Sequence, residues 1–354
     1  MKKSYVIGFV ISMGLLMWFL IDEGHASYPL KQAPLNDKKP ISTPPAQQRT
    51  LSQPVTKATT KTSSVTQSAF DEDLAKAASA VAQQYQQSLT FPPYSQPLTV
   101  YDEDRLKPNQ FFPVSSPVGE QGGELTVSLS QYRYVYPQAI ELTVSAPNLG
   151  KVVVTLSDTD TKKSLKTQSG VARQNELAMT FKGEEDYPRN LQLLVEADIA
   201  GKIVPVVAQI HYMPPSATLT GFENAYPRNE NMIVPANLTV IKSGLYRLRA
   251  NLYSGTSPLA HLVAKARLNE GSQQIDFKAH WSVLPKQTND LRLSDFVVER
   301  MSPSPGELNS FGESEISEFT IDDFAYDSLQ QLPYQANKQE MQSLEFLQGL
   351  AAGQ

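Results

Sequence analysis

Residues 244–255 read GLYRLRANLYSG. Tyr246, Leu248, Ala250 and Leu252 alternate with Arg247, Arg249 and Asn251. A period of two puts the first set on one face of a strand and the second on the other, whereas a helix would scatter both sets around its circumference. The stretch is therefore predicted to be a strand with one apolar and one wet face. QQIDFKAHW (273–281) repeats the pattern, with Ile275, Phe277, Ala279 and Trp281 facing in and Asp276, Lys278 and His280 facing out. NMIVPANLTVI (231–241), LAHLVAKARL (259–268) and LRLSDFVVER (291–300) complete a set that begins after Met213-Pro214-Pro215. Burying each large apolar side chain contributes ~1.5–3 kcal/mol before chain entropy is subtracted. Residues 214–301 thus carry enough for a β-sandwich core.

The same rhythm runs upstream in ELTVSL (124–129), AIELTV (139–144), VVVTL (152–156), ELAMTF (176–181), LQLLVEA (191–197) and IVPVVAQIHY (203–212). Turn signals separate these runs, among them Asn148-Leu149-Gly150 and Lys182-Gly183. About seven short strands in ~90 residues is the spacing of an immunoglobulin- or fibronectin-like sandwich. The predicted fold class is all-β, with two tandem sandwiches at 123–213 and 214–301.

Gly244, Tyr246, Leu248, Ala250 and Leu252, then Leu268-Asn269-Glu270-Gly271, Ile275, Phe277 and Leu291-Arg292-Leu293 form a pattern over residues 214–301. It resembles the C-terminal Ig-like module of a multi-domain family of secreted bacterial proteins of unknown function. The resemblance implies an Ig-like fold and an extracytoplasmic setting. It carries over no active-site residue.

Residues 91–122 open with FPPYSQPLTVYDEDRLKPNQFFPVSSPV. Their prolines pre-set extended backbone and remove amide donors. Phe91, Tyr94, Tyr101, Phe111 and Phe112 can cover apolar surface without joining a ladder. The stretch is predicted to be a strap laid over a sandwich, with a Pro-rich ligand for a partner as the rival. Before it, residues 69–90 form an amphipathic helix in which Phe70, Leu74, Ala77, Val81 and Tyr85 make one apolar stripe. Ser68 and Asp71 resemble a capping box at its start. Such a helix needs a partner surface, and docking on the following domain is the expectation.

Lys2 and Lys3 precede an apolar run from Tyr5 to Ile21. At 1.5 Å per residue it spans roughly 25 Å, close to a bilayer core. Residues 1–27 are predicted to be a single-pass inner-membrane anchor, N-terminus inside and bulk periplasmic. The alternative is a signal peptide cleaved near Ala26, after which the chain is secreted or periplasmic. Residues 28–68 are poor in large apolar side chains and rich in Pro, Ser, Thr, Gln and Lys, so nothing drives them to fold. They are predicted to be a disordered linker. Residues 302–354 shift to an acidic composition and end in an amphipathic segment with Met341, Leu344, Leu347 and Ala351 on one side. This tail either packs back on its own sandwiches or orders on a partner through Phe319, Ile321, Phe324 and Tyr326.

Chemistry is sparsely signalled. With no cysteine, disulfides, thiolate metal sites and a cysteine nucleophile are excluded. The net charge of −5 gives no footprint for nucleic acid. His25, His211, His261 and His280 lack metal-ligand spacing, and no nucleophile elbow or phosphate-binding loop occurs. The expectation is no catalytic residue, no cofactor-binding residue, no metal and no cofactor. Asp158 and Asp160, and Asn229-Glu230-Asn231, could place oxygens around calcium, but turn chemistry accounts for them equally. Glu184-Glu185-Asp186 lacks a partner carboxylate across a cleft. The functional expectation is a non-enzymatic bacterial cell-envelope protein that binds another envelope protein and touches the membrane through residues 5–21. The alternative is a polysaccharide- or peptidoglycan-binding module using Tyr132, Tyr134 and Tyr136.

Overall fold

The structure is a computed structural model that describes residues 64–119, 122–286, 290–322 and 324–352. The predicted anchor, the cleavage site near Ala26 and nearly all of the linker fall outside these residues. Among the described residues no helix is long and apolar enough to cross a membrane. The chain divides into two compact units, one of which is Phe91–Tyr334. This unit is all-β apart from short helical turns, and contains two packed sandwiches.

In the first sandwich, Val114–Val118, Gly123–Leu129, Ile140–Ser145 and Glu176–Phe181 form a four-stranded sheet. It faces a five-stranded sheet of Arg133–Val135, Lys202–Met213, Asn190–Ile199, Leu149–Asp158 and Ser164–Val171. Arg133–Val135 runs parallel to the end of Lys202–Met213; the remaining pairs are antiparallel. Alternate residues of both sheets, including Leu125, Val127, Ile140, Val154, Leu193 and Ile210, fill one core. Ser164–Val171 (SLKTQSGV) gave no alternation to detect. It is a polar edge strand whose side chains are nearly all exposed, so pairing with Leu149–Asp158 holds it and burial does not.

In the second sandwich, one sheet has the order Ser95–Pro97, Ser257–Leu268, Gly244–Ser254, Leu291–Arg300, Ser310–Phe311, with Glu318–Ile321 also paired to Leu291–Arg300. The other contains Tyr226–Arg228, Asn231–Val240, Ala217–Phe222 and Glu313–Ser314, with Gly271–His280 paired to Asn231–Val240. Tyr246, Leu248, Ala250 and Leu252 are all buried, as the alternation requires, and so are Ile275, Phe277 and Ala279. The Tyr246 hydroxyl lies between the carbonyls of Lys242 and Ser216, at 2.6 and 2.8 Å. Two expectations fail at one strand end. Trp281 leaves the strand for a 3-10 turn, and His280 is buried instead of exposed.

The strap crosses from one sandwich to the other. Its Ser95–Pro97 is an edge strand on Ser257–Leu268, and Leu98 is buried beside it. Further on, Phe111 enters the core of the first sandwich, and Val114–Val118 becomes that sandwich's edge strand.

The second sandwich extends beyond residue 301. Ser310–Phe311 pairs with Glu299 and Arg300, and two residues later Glu313–Ser314 runs parallel to Thr218 and Leu219 in the opposite sheet. Gly312 makes that crossing. A Cβ there would run into the Ala217 carbonyl and the Val298 side chain, so the close approach requires glycine.

The other compact unit contains the helices Ser64–Ser88 and Lys338–Ala351, which pack on each other. The predicted stripe is turned by about one position: Leu74 is exposed, while Ala78 and Ala82 are buried. Small side chains on one helix let the backbones approach, and Leu344 and Leu347 of the other fill the contact. Met341, expected on the apolar side, is exposed. The second helix begins with a capping box, Asn337 Oδ1 accepting from Glu340 N and Glu340 Oε2 from Asn337 N.

Candidate functional site: a polar seam between the sandwiches

The polar face of Gly244–Ser254 is not wet. Arg247 and Arg249 are largely covered, and Asn251 is 1% exposed. The strand alongside explains why. Leu291–Arg300 carries a register shift opposite Arg249 and Asn251, with Asp295 at φ 56. Leu291 and Leu293 face the core before this β-bulge, and Val298 faces it afterwards. Without the extra residue, strict alternation would aim Asp295 and Glu299 into the core with Leu291 and Leu293. With it, Ser294, Val297 and Glu299 pair across to Asn251, Arg249 and Arg247 on the outer face.

Glu299 is 2% exposed and fully occupied. Arg247 Nε and Nη2 donate to its two oxygens at 2.9 and 3.0 Å, Arg249 Nη2 at 3.2 Å, and Asn309 Nδ2 at 2.6 Å. A bidentate guanidinium contact of this kind holds both groups in a single geometry. Asp295 accepts from Tyr253 OH at 2.5 Å and from Asn251 Nδ2 at 2.9 Å. Burial, followed by the carboxylate contact, pushes the Tyr253 phenol up to about 12. Asn251 Nδ2 also reaches the Arg105 carbonyl on the strap, at 2.8 Å. The Asn251 atom 2.8 Å from His261 Nδ1 is therefore its carbonyl oxygen, and Nδ1 carries the proton. Burial, then the charges of Arg105 and Arg249, lower His261 to about 4.

The first sandwich meets this network through Arg133, Arg189 and His211. The Arg133 guanidinium lies 4.5 Å over the Phe311 ring and donates to the Pro108 carbonyl at 2.8 Å. Arg189 Nη2 donates to the Asn309 carbonyl at 2.6 Å. His211 Nε2 sits 3.0 Å from Tyr132 OH. The strap, both sandwiches and the 302–311 segment thus share one seam.

The residues singled out from sequence lie elsewhere. Ile321, Phe324 and Tyr326 are buried in the second sandwich's core, and Phe319 stacks on Phe222 at 4.8 Å. They line the interior of the chain's own sandwich and present no shared outer surface. Tyr134 is likewise fully buried and Tyr136 packs against the first core, which leaves Tyr132 alone near the surface. Asp158 accepts from Asp160 N and Thr161 Oγ1, the pattern of a side-chain-closed turn. The Asn229 and Glu230 carbonyls accept from Gln330 N and Trp281 N. Glu184 pairs with Lys166 at 2.9 Å on the surface. Among the described residues no group of three or more His, Asp or Glu side chains could hold a metal ion. The seam was hidden because its arginines alternate as surface residues do. The detectable signal was the pair of carboxylates at odd positions of LRLSDFVVER, which no unbulged strand could place.

No family model matches the chain, and no curated protein matches it. Among solved structures it is similar to a DUF4785 family protein from Legionella pneumophila, at 15% identity and a TM-score of 0.39 over 50% of this chain and 53% of that one. It is also similar to trypsin-activated alpha-2-macroglobulin from Escherichia coli, at 12% identity and a TM-score of 0.24 over 61% of this chain and 18% of that one. The match therefore spans about half of the first protein and under a fifth of the second.

Proposed function

We propose that the chain is a non-enzymatic protein of the bacterial cell envelope, whose two Ig-like sandwiches present a surface to another envelope protein. The observation that carries this reading is the strap. Phe91 packs on the second core, Leu98 is buried and Phe111 lies in the first core, yet Val100, Tyr101 and Phe112 on the same stretch are 62%, 90% and 75% exposed. Aromatic side chains held on a fixed backbone give contact area at low entropic cost, which suits a protein interface. The Tyr246 hydroxyl reaching back four residues to the Lys242 carbonyl supports the Ig-like assignment, since a tyrosine corner has that geometry. The apolar run at Tyr5–Ile21 behind two lysines supports an envelope setting with the sandwiches on the periplasmic side.

The test is in-cell photo-cross-linking with a probe at Tyr101 or at Phe112, using exposed Lys163 as control. The expected outcome is one shared partner band from both strap positions and none from Lys163. Absence of a band at both strap positions would remove the strap as an interface.

A further inference from the structure

The seam holds more positive charge than its carboxylates can match. Glu299 already accepts from two arginines and an asparagine, and Asp295 from Tyr253 and Asn251. Among the described residues, Arg133 and Arg189 have no carboxylate within salt-bridge distance. Burial lowers the pKa of both groups; the Glu299 charge partly offsets this at Arg133, and no carboxylate offsets it at Arg189. Donors also go unused at the same place. Arg189 Nε, Arg249 Nε, His211 Nδ1 and Ser310 Oγ are buried with no hydrogen-bond partner.

These groups belong together by topology. Arg133 is the register partner of His211 in the parallel pairing, so their side chains leave the same face of that sheet. Asn190 is the partner of His211 on the other side, and Arg189 precedes it. Asn309 joins this group to the second sandwich, its carbonyl on Arg189 and its side-chain amide on Glu299, which also holds Arg249. Ser310 follows Asn309 directly. Cations from two sandwiches therefore converge on one short segment, with donors left over.

We infer that this junction binds a small tetrahedral oxyanion of the phosphate or sulfate class, taken between Arg133, Arg189 and Arg249. Guanidinium groups match such oxyanions in charge and in planar donor geometry. The Ser310 hydroxyl and the Nδ1–H of a neutral His211, whose Nε2 accepts from Tyr132 OH, would supply uncharged donors to the same ion. The site is independent of the strap surface and would stand if no partner docks there.

The test is thermal unfolding of the full chain in chloride, phosphate and sulfate at matched ionic strength, followed by calorimetric titration with inorganic phosphate. The expected result is a saturable rise in Tm with phosphate beyond that with chloride, half-saturating at about 1 mM or below. Arg189→Gln and Arg133→Gln should each weaken the titration at least about tenfold while unfolding cooperatively in chloride. A parallel arm uses phosphatidylglycerol vesicles. Retention on these vesicles above that on neutral phosphatidylcholine vesicles, lost in Arg189→Gln and without a shift in inorganic phosphate, would assign the charge to a lipid headgroup and overturn the small-ion site. Equal Tm in all three salts would overturn it as well, and that result needs no variant to fold.

Discussion

His261 sits where taking up a proton is most costly. Asn251 holds its Nδ1–H from one side, and Arg105 and Arg249 oppose a charge on the ring. Asp102 pulls weakly the other way, and Arg247 adds to the repulsion. With the folded pKa near 4 and the ordinary value 6.5, the unfolded chain binds more protons between those limits. Stability therefore rises with pH across that window. The contribution is fully present above pH 6.5 and is lost as pH falls toward 4, a change of about 3 kcal/mol for this residue alone. His211 and His280 are lowered too, chiefly by burial, and add to the slope. Urea midpoints at pH 7 and pH 5 should separate more for the native chain than for His261→Gln. Equal separations would mean that His261 is not the dominant titrating group. None of this was visible in the sequence, where LAHLVAKARL places a histidine in a strand without saying what stands opposite. Contacts between residues 10, 44 and 146 positions apart decide its chemistry, and a local pattern carries no such information.

Strands show the opposite balance. Most of those foreseen from alternation match the structure within one to three residues, because a half-buried sheet writes its period directly into the chain. Elements held by something other than burial were missed. Ser164–Val171 is a polar edge, and the 310–321 strands are too short to show a period. Gly312 is the element-scale weak point of that tail. Gly312→Ala would push a methyl group into the Ala217 backbone and should destabilise by about 1–3 kcal/mol or more. Gly349→Ala, in the helix Lys338–Ala351 with open space around the added carbon, should instead stabilise by about 0.5–1 kcal/mol. Thermal melts of the two variants should move in opposite directions. A shift of the same sign in both would show that steric approach at Gly312 is not limiting.

For the molecule as a whole, the acidic tail is structural from its first turn to Leu329. Ile321, Phe324, Tyr326 and Leu329 belong to the second core. At ~1.5–3 kcal/mol each, removing them forfeits an amount comparable to the entire stability of a typical domain, about 5–15 kcal/mol. A chain ending at residue 301 should lose the cooperative transition of the second sandwich in calorimetry and become sensitive to limited proteolysis. One ending at residue 334 should keep both properties. If the shorter chain melted like the longer one, the tail strands would be ornamental. The compositional shift at residue 302 was therefore a true boundary in residue usage and a false one in folding. Charge patterning reports what faces solvent, and here Glu315, Glu318, Asp322 and Asp327 face out while Phe324 and Tyr326 face in.

The route of the chain has a mechanical consequence. Ser95–Pro97 completes an edge of the second sandwich before the first sandwich is built, and residues 217–329 return to finish that same body. The first sandwich is thus looped out from the second. Tension applied between residues 91 and 334 would first load the second sandwich, through the short Ser95–Pro97 pairing. Once that pairing and the strap beyond it peel, the pull would pass through Phe111 and Val114–Val118 into the first sandwich, which is shielded only until then.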